Sequence, residues 1–251
     1  SVMKNFIKSC MNRYLRKSFI DHNLLKEVPK NSSYVYFPMA VDMERNLLIT
    51  APYYTNQIET IRHIVKSLPV NYQLYVKENP NAASRDWHSI DEYKEIMKIP
   101  NVKLIHPSTN VETIYQNSSL VIATAGSSPF EAAAYGKPSI IFSDQIYDIL
   151  PSVFKVENIK DLPELIRKAL QTKVNTNDLD RYIHLLEKNT FNFDILGFSA
   201  MFKDRFYHGG SLLDVTISEE QLQKFLEEQK DTLEKFTLEH IKRINWYKSN
   251  D

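Results

Sequence analysis

The stretch that most restricts how this chain can fold runs from Leu120 to Phe142 and reads LVIATAGSSPFEAAAYGKPSIIF. It opens with an uncharged apolar run, which is typical of a parallel strand buried on both faces. Small residues then allow a sharp backbone turn, and Pro129 suits the first turn of a helix that Gly136 can end. The pattern predicts strand, turn, short helix and strand. Such a unit presents free backbone N–H groups at the carboxyl edge of a parallel sheet, where anionic ligands commonly bind.

Strand and helix patterns alternate from Tyr34 onwards. The predicted strands are Tyr34–Phe37, Gln73–Lys77, Val102–Ile105, Leu120–Ala123, Ser139–Phe142 and Val153–Val156, and the predicted helices are Asn56–Leu68, Ile90–Lys98, Val111–Asn117, Phe130–Tyr135 and Pro163–Gln171. This alternation with short links predicts an α/β fold, a Rossmann-like parallel sheet with helices on both faces. Ser89 and Asp161 each precede a glutamate by three positions, which predicts helix caps. The link Pro38–Thr55 is long and irregular.

We divide the chain into an N-terminal linker helix at residues 1–30, a Rossmann-like domain at 31–175 and a helical C-terminal extension at 176–251 that packs on it. The extension begins with a predicted helix at Asn177–Lys188. An aromatic-rich segment follows at residues 191–207, which we expect to be irregular. Ser218-x-x-Gln221 then predicts the cap of one long helix that runs to about Lys248.

The first 20 residues contain basic side chains at helical spacing and no acid; these are Lys4, Lys8, Arg13, Arg16 and Lys17. Two interpretations are open. The helix could lie on an anionic membrane surface, or, in the second interpretation, it could be a connecting helix packed against its own domain or the end of a missing upstream domain. We favour the second interpretation, because basic helical faces are often only solvated.

Composition narrows the class of protein. The 251 residues carry 31 basic and 31 acidic side chains, a balance that argues against a nucleic-acid-binding protein. Cys10 is the only cysteine, and no metal-ligand spacing is present. No apolar run approaches the roughly 20 residues that cross a bilayer. There is no serine-hydrolase turn, Walker loop or dinucleotide fingerprint. We therefore expect a cytoplasmic protein without metal or cofactor, with contact to the inner face of the membrane as the alternative.

Two groups of residues are candidates for anion binding. Thr124, Gly126, Ser127 and Ser128 could hold a phosphate while Glu131 accepts hydrogen bonds from a ribose. Alternatively, Ser128-x-x-Glu131 is a capping box, in which Glu131 merely satisfies the Ser128 amide. Lys77 ends a predicted strand at the same sheet edge, where a lysine can neutralise a phosphate or be an ordinary solvated charge.

Weaker candidates follow two other strands. His106 lies just past a strand and could contact a base or phosphate, although a lone histidine before a proline is more often a loop residue. Asp42 and Glu44 lie in the long link, where a carboxylate could act as a base or bind a sugar hydroxyl. Exposed acids in loops are common, so these two are weak catalytic candidates.

Three blocks together resemble the capsule polysaccharide biosynthesis proteins, a group that includes Kdo transferases. The blocks are YFPMAVDME at residues 36–44, YVKENP at 75–80 and TAGSSPFEA at 124–132 with GKP at 136–138. The resemblance covers roughly residues 30–170. It differs from the family pattern at Ala40 and Asn79, where the family often has histidine, and at His88, near which an arginine is common.

The resemblance implies a metal-independent GT-B glycosyltransferase that acts in surface or capsule polysaccharide biosynthesis. Residues 31–175 would be the nucleotide-sugar-binding domain, incomplete without an N-terminal domain that usually supplies the catalytic base. The donor would be CMP- or UDP-linked and the acceptor a glycan or glycolipid. Lys77, Asn79, Ser127 and Ser128 would face the donor nucleotide, with Glu131 on the ribose. A sugar-nucleotide 2-epimerase and a catalytically silent binding or scaffold module are the alternatives.

Overall fold

A computed structural model describes residues 2–30, 33–42, 45–80, 88–211 and 214–250 of this protein. The chain separates into two compact units, residues 1–183 and residues 184–251.

The first unit is built on six parallel strands. They are β1 Tyr34–Pro38, β2 Gln73–Lys77, β3 Val102–Ile105, β4 Leu120–Ala123, β5 Ser139–Ile141 and β6 Val153–Lys155. Their order across the sheet is β3-β2-β1-β4-β5-β6, with every neighbouring pair parallel. This is the strand order of the doubly wound Rossmann fold. The predicted fold class is therefore confirmed, and each predicted strand lies within one residue of its observed bounds.

The helices of the first unit are α1 Val2–Asn23, α2 Arg45–Leu48, α3 Gln57–Ser67, α4 Ile90–Met97, α5 Val111–Asn117, α6 Ser128–Ala134 and α7 Leu162–Gln171, and α8 Thr176–Asn189 continues into the second unit. Alternate residues of β1 belong to different cores. Val35 and Phe37 pack with Ile61 of α3, whereas Tyr34 and Tyr36 pack with residues of α5 and α6. Helices therefore cover both faces of the sheet, as such a buried strand requires.

The helix caps predicted for the first unit are confirmed in part. Ser89 forms the predicted capping box and α4 begins after it. The prediction that Asp161 caps a helix is wrong, because a 3₁₀ turn at Ile159–Asp161 runs directly into α7 and leaves Asp161 with near-helical backbone angles. The long link after β1, predicted to be irregular, contains α2 and a 3₁₀ turn at Pro52–Tyr54.

The second unit contains the end of α8 together with α9 Ile195–Tyr207, α10 Glu219–Glu228 and α11 Lys230–Asn250. The predicted irregular aromatic segment is mostly helical, since α9 spans much of it. The ring of Phe225 lies 5.2–5.9 Å from the rings of Phe198, Phe202 and Phe206. Ser218 forms the predicted capping box, but the single long helix is two helices, interrupted at Gln229. In the described parts of the chain, no helix is both long and apolar enough to cross a membrane.

Candidate functional site

The strand order reverses between β1 and β4, and ligands of open α/β sheets bind in the crevice outside the carboxyl ends of the strands at such a point. The chain leaves β1 at Met39 and β4 at Thr124. The turns after β2 and β5 flank these two exits. Residues from all four turns are brought together here by tertiary structure.

The turn after β4 is held by hydrogen bonds from two side chains of the segment after β5. Gly126 has φ +96, a left-handed conformation that favours glycine, and the position where a Cβ would stand has no heavy atom within 4 Å. The hydroxyl of Tyr147 donates to the Gly126 carbonyl, and Ser143 Oγ donates to the Thr124 carbonyl at 2.9 Å. The hydroxyl of Thr124 is buried without a hydrogen-bond partner among the described residues. The turn is thus supported by two hydrogen bonds, and the Thr124 hydroxyl could still form a hydrogen bond with a ligand.

Glu131 accepts hydrogen bonds on both carboxylate oxygens. Ser127 Oγ donates to Oε1 at 2.6 Å, and the Tyr115 hydroxyl donates to Oε2 at 3.0 Å. The alternative that Ser128 and Glu131 form a capping box is wrong, because α6 begins at Ser128 itself and Ser127 occupies the N-cap position without a capping bond. Each carboxylate oxygen can accept a second hydrogen bond. Glu131 is therefore oriented and can still receive a ligand hydroxyl, and its ribose-binding role stays a prediction.

Lys77 is the last residue of β2, opposite Pro38 of β1 and Ile105 of β3. Only 5% of its surface is exposed, and burial lowers the pKa of its ammonium group. The ammonium makes no ion pair or hydrogen bond with a described residue. A buried charge without a counter-ion is costly. Lys77 is thus a buried cation with no anion among the described residues, at about 10 Å from β4, because two inter-strand spacings separate β2 from β4.

A line of hydrogen-bonded polar groups runs beside this lysine. Glu78, which is fully buried, accepts on Oε2 from Tyr93 Oη at 2.5 Å and from His88 Nδ1 at 2.7 Å. His88 Nε2 lies 3.2 Å from Oδ2 of Asp42. Gln57 Nε2 donates to Asp42 Oδ1 at 2.8 Å, and the Gln57 amide also pairs with both backbone groups of Ala40. The segment after β1 is therefore fastened to α3 and to the turn after β2.

The charges in this network follow from its geometry. Burial alone would lower the pKa of His88, but hydrogen bonds and charge from Asp42 and Glu78 raise it to about 10. His88 is consequently an imidazolium between two carboxylates. The hydrogen bond from His88 lowers the pKa of Asp42, whose side chain is 48% exposed. A carboxylate with a lowered pKa is a weak general base. Asp42 is better suited to accept a hydrogen bond from a sugar hydroxyl.

The structure places the remaining candidates as follows. His106 follows β3, at the edge of the sheet and three strands from β4. Its Nε2 donates to Asp21 Oδ1 at 2.9 Å, and its Nδ1 accepts from Ser108, whose Oγ lies at 2.6 Å. These bonds attach it to the end of α1, and its nucleotide-binding role stays a prediction. The Asn79 amide donates to Glu78 Oε1 at 2.9 Å. Glu44 lies outside the described residues.

Sequence reasoning missed Gln57, Tyr93 and the central position of His88. His88 was noted only as a departure from a family pattern, and Gln57 carries no local signal at all. The one available signal was Glu78, an acid placed directly after a buried strand and thus in need of a partner. In the described parts of the chain, no group of three or more His, Cys, Asp or Glu side chains is arranged to hold a metal ion.

The chain is distantly similar to several solved structures. No family model and no curated protein matches the chain. UDP-GlcNAc 2-epimerase from Methanocaldococcus jannaschii is 15% identical with a TM-score of 0.44, over 70% of this chain and 50% of that protein. The beta Kdo 2,7 transferase KpsC of Thermosulfurimonas dismutans is 16% identical with a TM-score of 0.42, over 65% and 57%. Spinosyn rhamnosyltransferase SpnG, in complex with thymidine diphosphate, is 11% identical with a TM-score of 0.40, over 64% and 42%. The chain spans about half the length of these structures.

Proposed function

We propose that the first unit is the nucleotide-sugar-binding half of a GT-B glycosyltransferase that acts in surface or capsule polysaccharide biosynthesis. Two structural features support this: a Rossmann strand order with its reversal between β1 and β4, and a supported glycine turn at that point. The resemblance of three sequence blocks to capsule polysaccharide biosynthesis proteins supports the reaction class. The acceptor, a glycan or glycolipid, would be bound largely by another domain.

The observation that carries the proposal is the buried ammonium of Lys77, which no side chain in the described part of the chain neutralises. A phosphate group placed between Lys77 and the Thr124–Ser128 turn would supply the missing anion. A charge-assisted contact to a ligand phosphate is stronger than a neutral hydrogen bond. The natural ligand is then a molecule whose phosphate lies at the carboxyl edge of the sheet, as in a nucleotide sugar.

Other residues take roles that their geometry permits. Ser127 and Ser128 would contact a phosphate, and Glu131, oriented by Tyr115, would accept from the ribose. Asp42, held ionised by His88, would accept from a hydroxyl of the donor sugar. The base that deprotonates the acceptor would come from the other half of the enzyme. The transfer would need no metal, because Lys77 would supply the charge that stabilises the phosphate of the leaving nucleotide.

Calorimetric titration of the chain with CMP, UDP and their sugar conjugates tests the proposal. We expect saturable binding of one nucleotide, weakened about tenfold or more in Lys77→Met and in Glu131→Gln. Lys103→Met is the matched control, because Lys103 is an exposed lysine of the adjacent strand β3. Equal affinity in Lys77→Met and Lys103→Met would refute the role of Lys77. Absence of binding to every nucleotide would favour a silent module.

A sugar-nucleotide 2-epimerase would use the same nucleotide site. Incubation of the chain with a UDP-sugar and no acceptor separates the two activities, because only an epimerase returns the 2-epimer. We expect no epimer, since the transferase proposal requires an acceptor hydroxyl for turnover.

A further inference from the structure

Helix α1 has two apolar faces, and only one of them packs on other described residues of the first unit. Near its C-terminal end, Phe19 stacks on Tyr93 with a ring separation of 6.3 Å, and Ile20 is 1% exposed. Leu24, just past the helix, is also buried. These contacts confirm that the end of α1 packs on its own unit. They occupy one side of the last two turns.

The second apolar face lies on the first four turns. Ile7, Met11 and Tyr14 recur at spacings of four and three, so they form one stripe. They are 54%, 56% and 73% exposed, and the neighbouring Leu15 is 50% exposed. Met11 is nine positions before Ile20, about two and a half turns, which places this stripe opposite the packed face. No described residue covers it.

Positive charge borders the stripe. Lys4, Lys8 and Lys17 are exposed and each lies three positions from a stripe residue, and residues 1–20 contain no acid. The first acid, Asp21, is bonded to His106 Nε2 at 2.9 Å. An occupant must therefore combine an apolar layer with a negatively charged layer. The surface of an anionic phospholipid bilayer has both, and Tyr14 is of a residue type that prefers such an interface.

We propose that α1 lies in the plane of an anionic membrane surface, with Ile7, Met11, Tyr14 and Leu15 inserted among the lipids and the basic side chains at the headgroups. Amphipathic helices that combine an apolar face with basic side chains and low overall hydrophobicity bind membranes in this in-plane manner. This inference does not depend on nucleotide binding. It would place the first unit at a membrane, whatever reaction it performs.

Vesicle flotation of the full chain provides the test, with vesicles of phosphatidylcholine alone or with added phosphatidylglycerol. We expect binding to the anionic vesicles only, and release in 0.5 M salt. Binding to both vesicle types alike, or to neither, would overturn the proposal.

Two pairs of variants locate the binding surface. Lys4→Gln with Lys8→Gln is expected to weaken partitioning by about 30-fold, since each basic residue near an anionic surface contributes about a factor of five. Ile7→Ser with Met11→Ser is expected to weaken it by roughly tenfold. The matched controls are Lys66→Gln with Lys98→Gln, which changes net charge equally, and Val70→Ser, which removes a fully exposed apolar side chain.

Controls that lose binding as strongly as the α1 variants would overturn the proposal. Light scattering of the protein without lipid tests a different occupant of the stripe, a second copy of the chain. The chain could fail to bind vesicles and instead form a dimer that Ile7→Ser with Met11→Ser converts to a monomer. That result would show that the stripe is a dimer interface.

Discussion

The imidazolium of His88 makes the stability of the first unit depend on pH in a direction that can be worked out from the structure. Its pKa rises from 6.5 in the unfolded chain to about 10 in the fold, because Asp42 and Glu78 outweigh the effect of burial. Between these values the native state keeps a proton that the unfolded state has lost. The free energy of unfolding therefore falls by about 1.4 kcal/mol for each pH unit. The stabilisation is complete below about pH 6.5 and is lost as the pH approaches 10.

Replacing His88 by glutamine removes both the cation and this pH dependence. At pH 7 the variant leaves the fully buried Glu78 carboxylate without its counter-ion, which costs about 3–5 kcal/mol for a broken buried pair. The stability gap between the wild-type chain and His88→Gln should then narrow by about 1.4 kcal/mol per pH unit from pH 7 to 9.5.

Urea unfolding at constant ionic strength measures the gap. Near-UV circular dichroism is the suitable probe, because it reports the buried tyrosines of the first unit, such as Tyr34, Tyr36 and Tyr93. His63→Gln is the control, since His63 is exposed on α3 and outside the network. A gap that stays constant from pH 7 to 9.5, or that widens, would refute a protonated His88 between two carboxylates.

Three further substitutions test separate parts of the structure. Lys77→Met should raise the free energy of unfolding by about 1 kcal/mol and with it the urea midpoint, because burying an ammonium that no described residue neutralises is unfavourable. A lower midpoint would indicate that Lys77 has a counter-ion in the free chain. Gly126→Ala should cost about 1–2 kcal/mol in the same assay, since φ is +96 and no steric clash contributes; no change would mean that the turn adopts another conformation. Phe225→Ala should cost about 3–5 kcal/mol and reduce hydrogen-exchange protection in α9 and α10, whereas Leu226→Ala, at a 45% exposed position, should cost under about 1 kcal/mol. Equal effects of these two changes would contradict the aromatic core of the second unit.

The strands of the sheet could be predicted because each is a short, uncharged apolar run between turn residues. The apolar pattern that predicts β4 is contained in the four consecutive residues Leu120–Ala123. The capping boxes that begin at Ser89 and Ser218 likewise need only four consecutive residues each. The helix α9 was missed although it carries a helical signal, since Phe198, Phe202 and Phe206 recur every four residues and all contact Phe225. Further aromatic residues at positions 191, 193 and 207 lie outside this spacing and obscure it in the sequence.

The sequence by itself determined the class of fold and the position of the glycine turn, since periodicity and turn chemistry act over a few neighbouring residues. Only the tertiary structure decided that Asp42, Gln57, Glu78 and His88 would meet. These four residues belong to separate segments of the chain, and the adjacency of β1 and β2 brings them within hydrogen-bonding distance. The same adjacency buries Lys77, to which none of the residues that the structure describes supplies an anion. Burial and charge pairing depend on which strands become neighbours, and that order is a property of the whole domain.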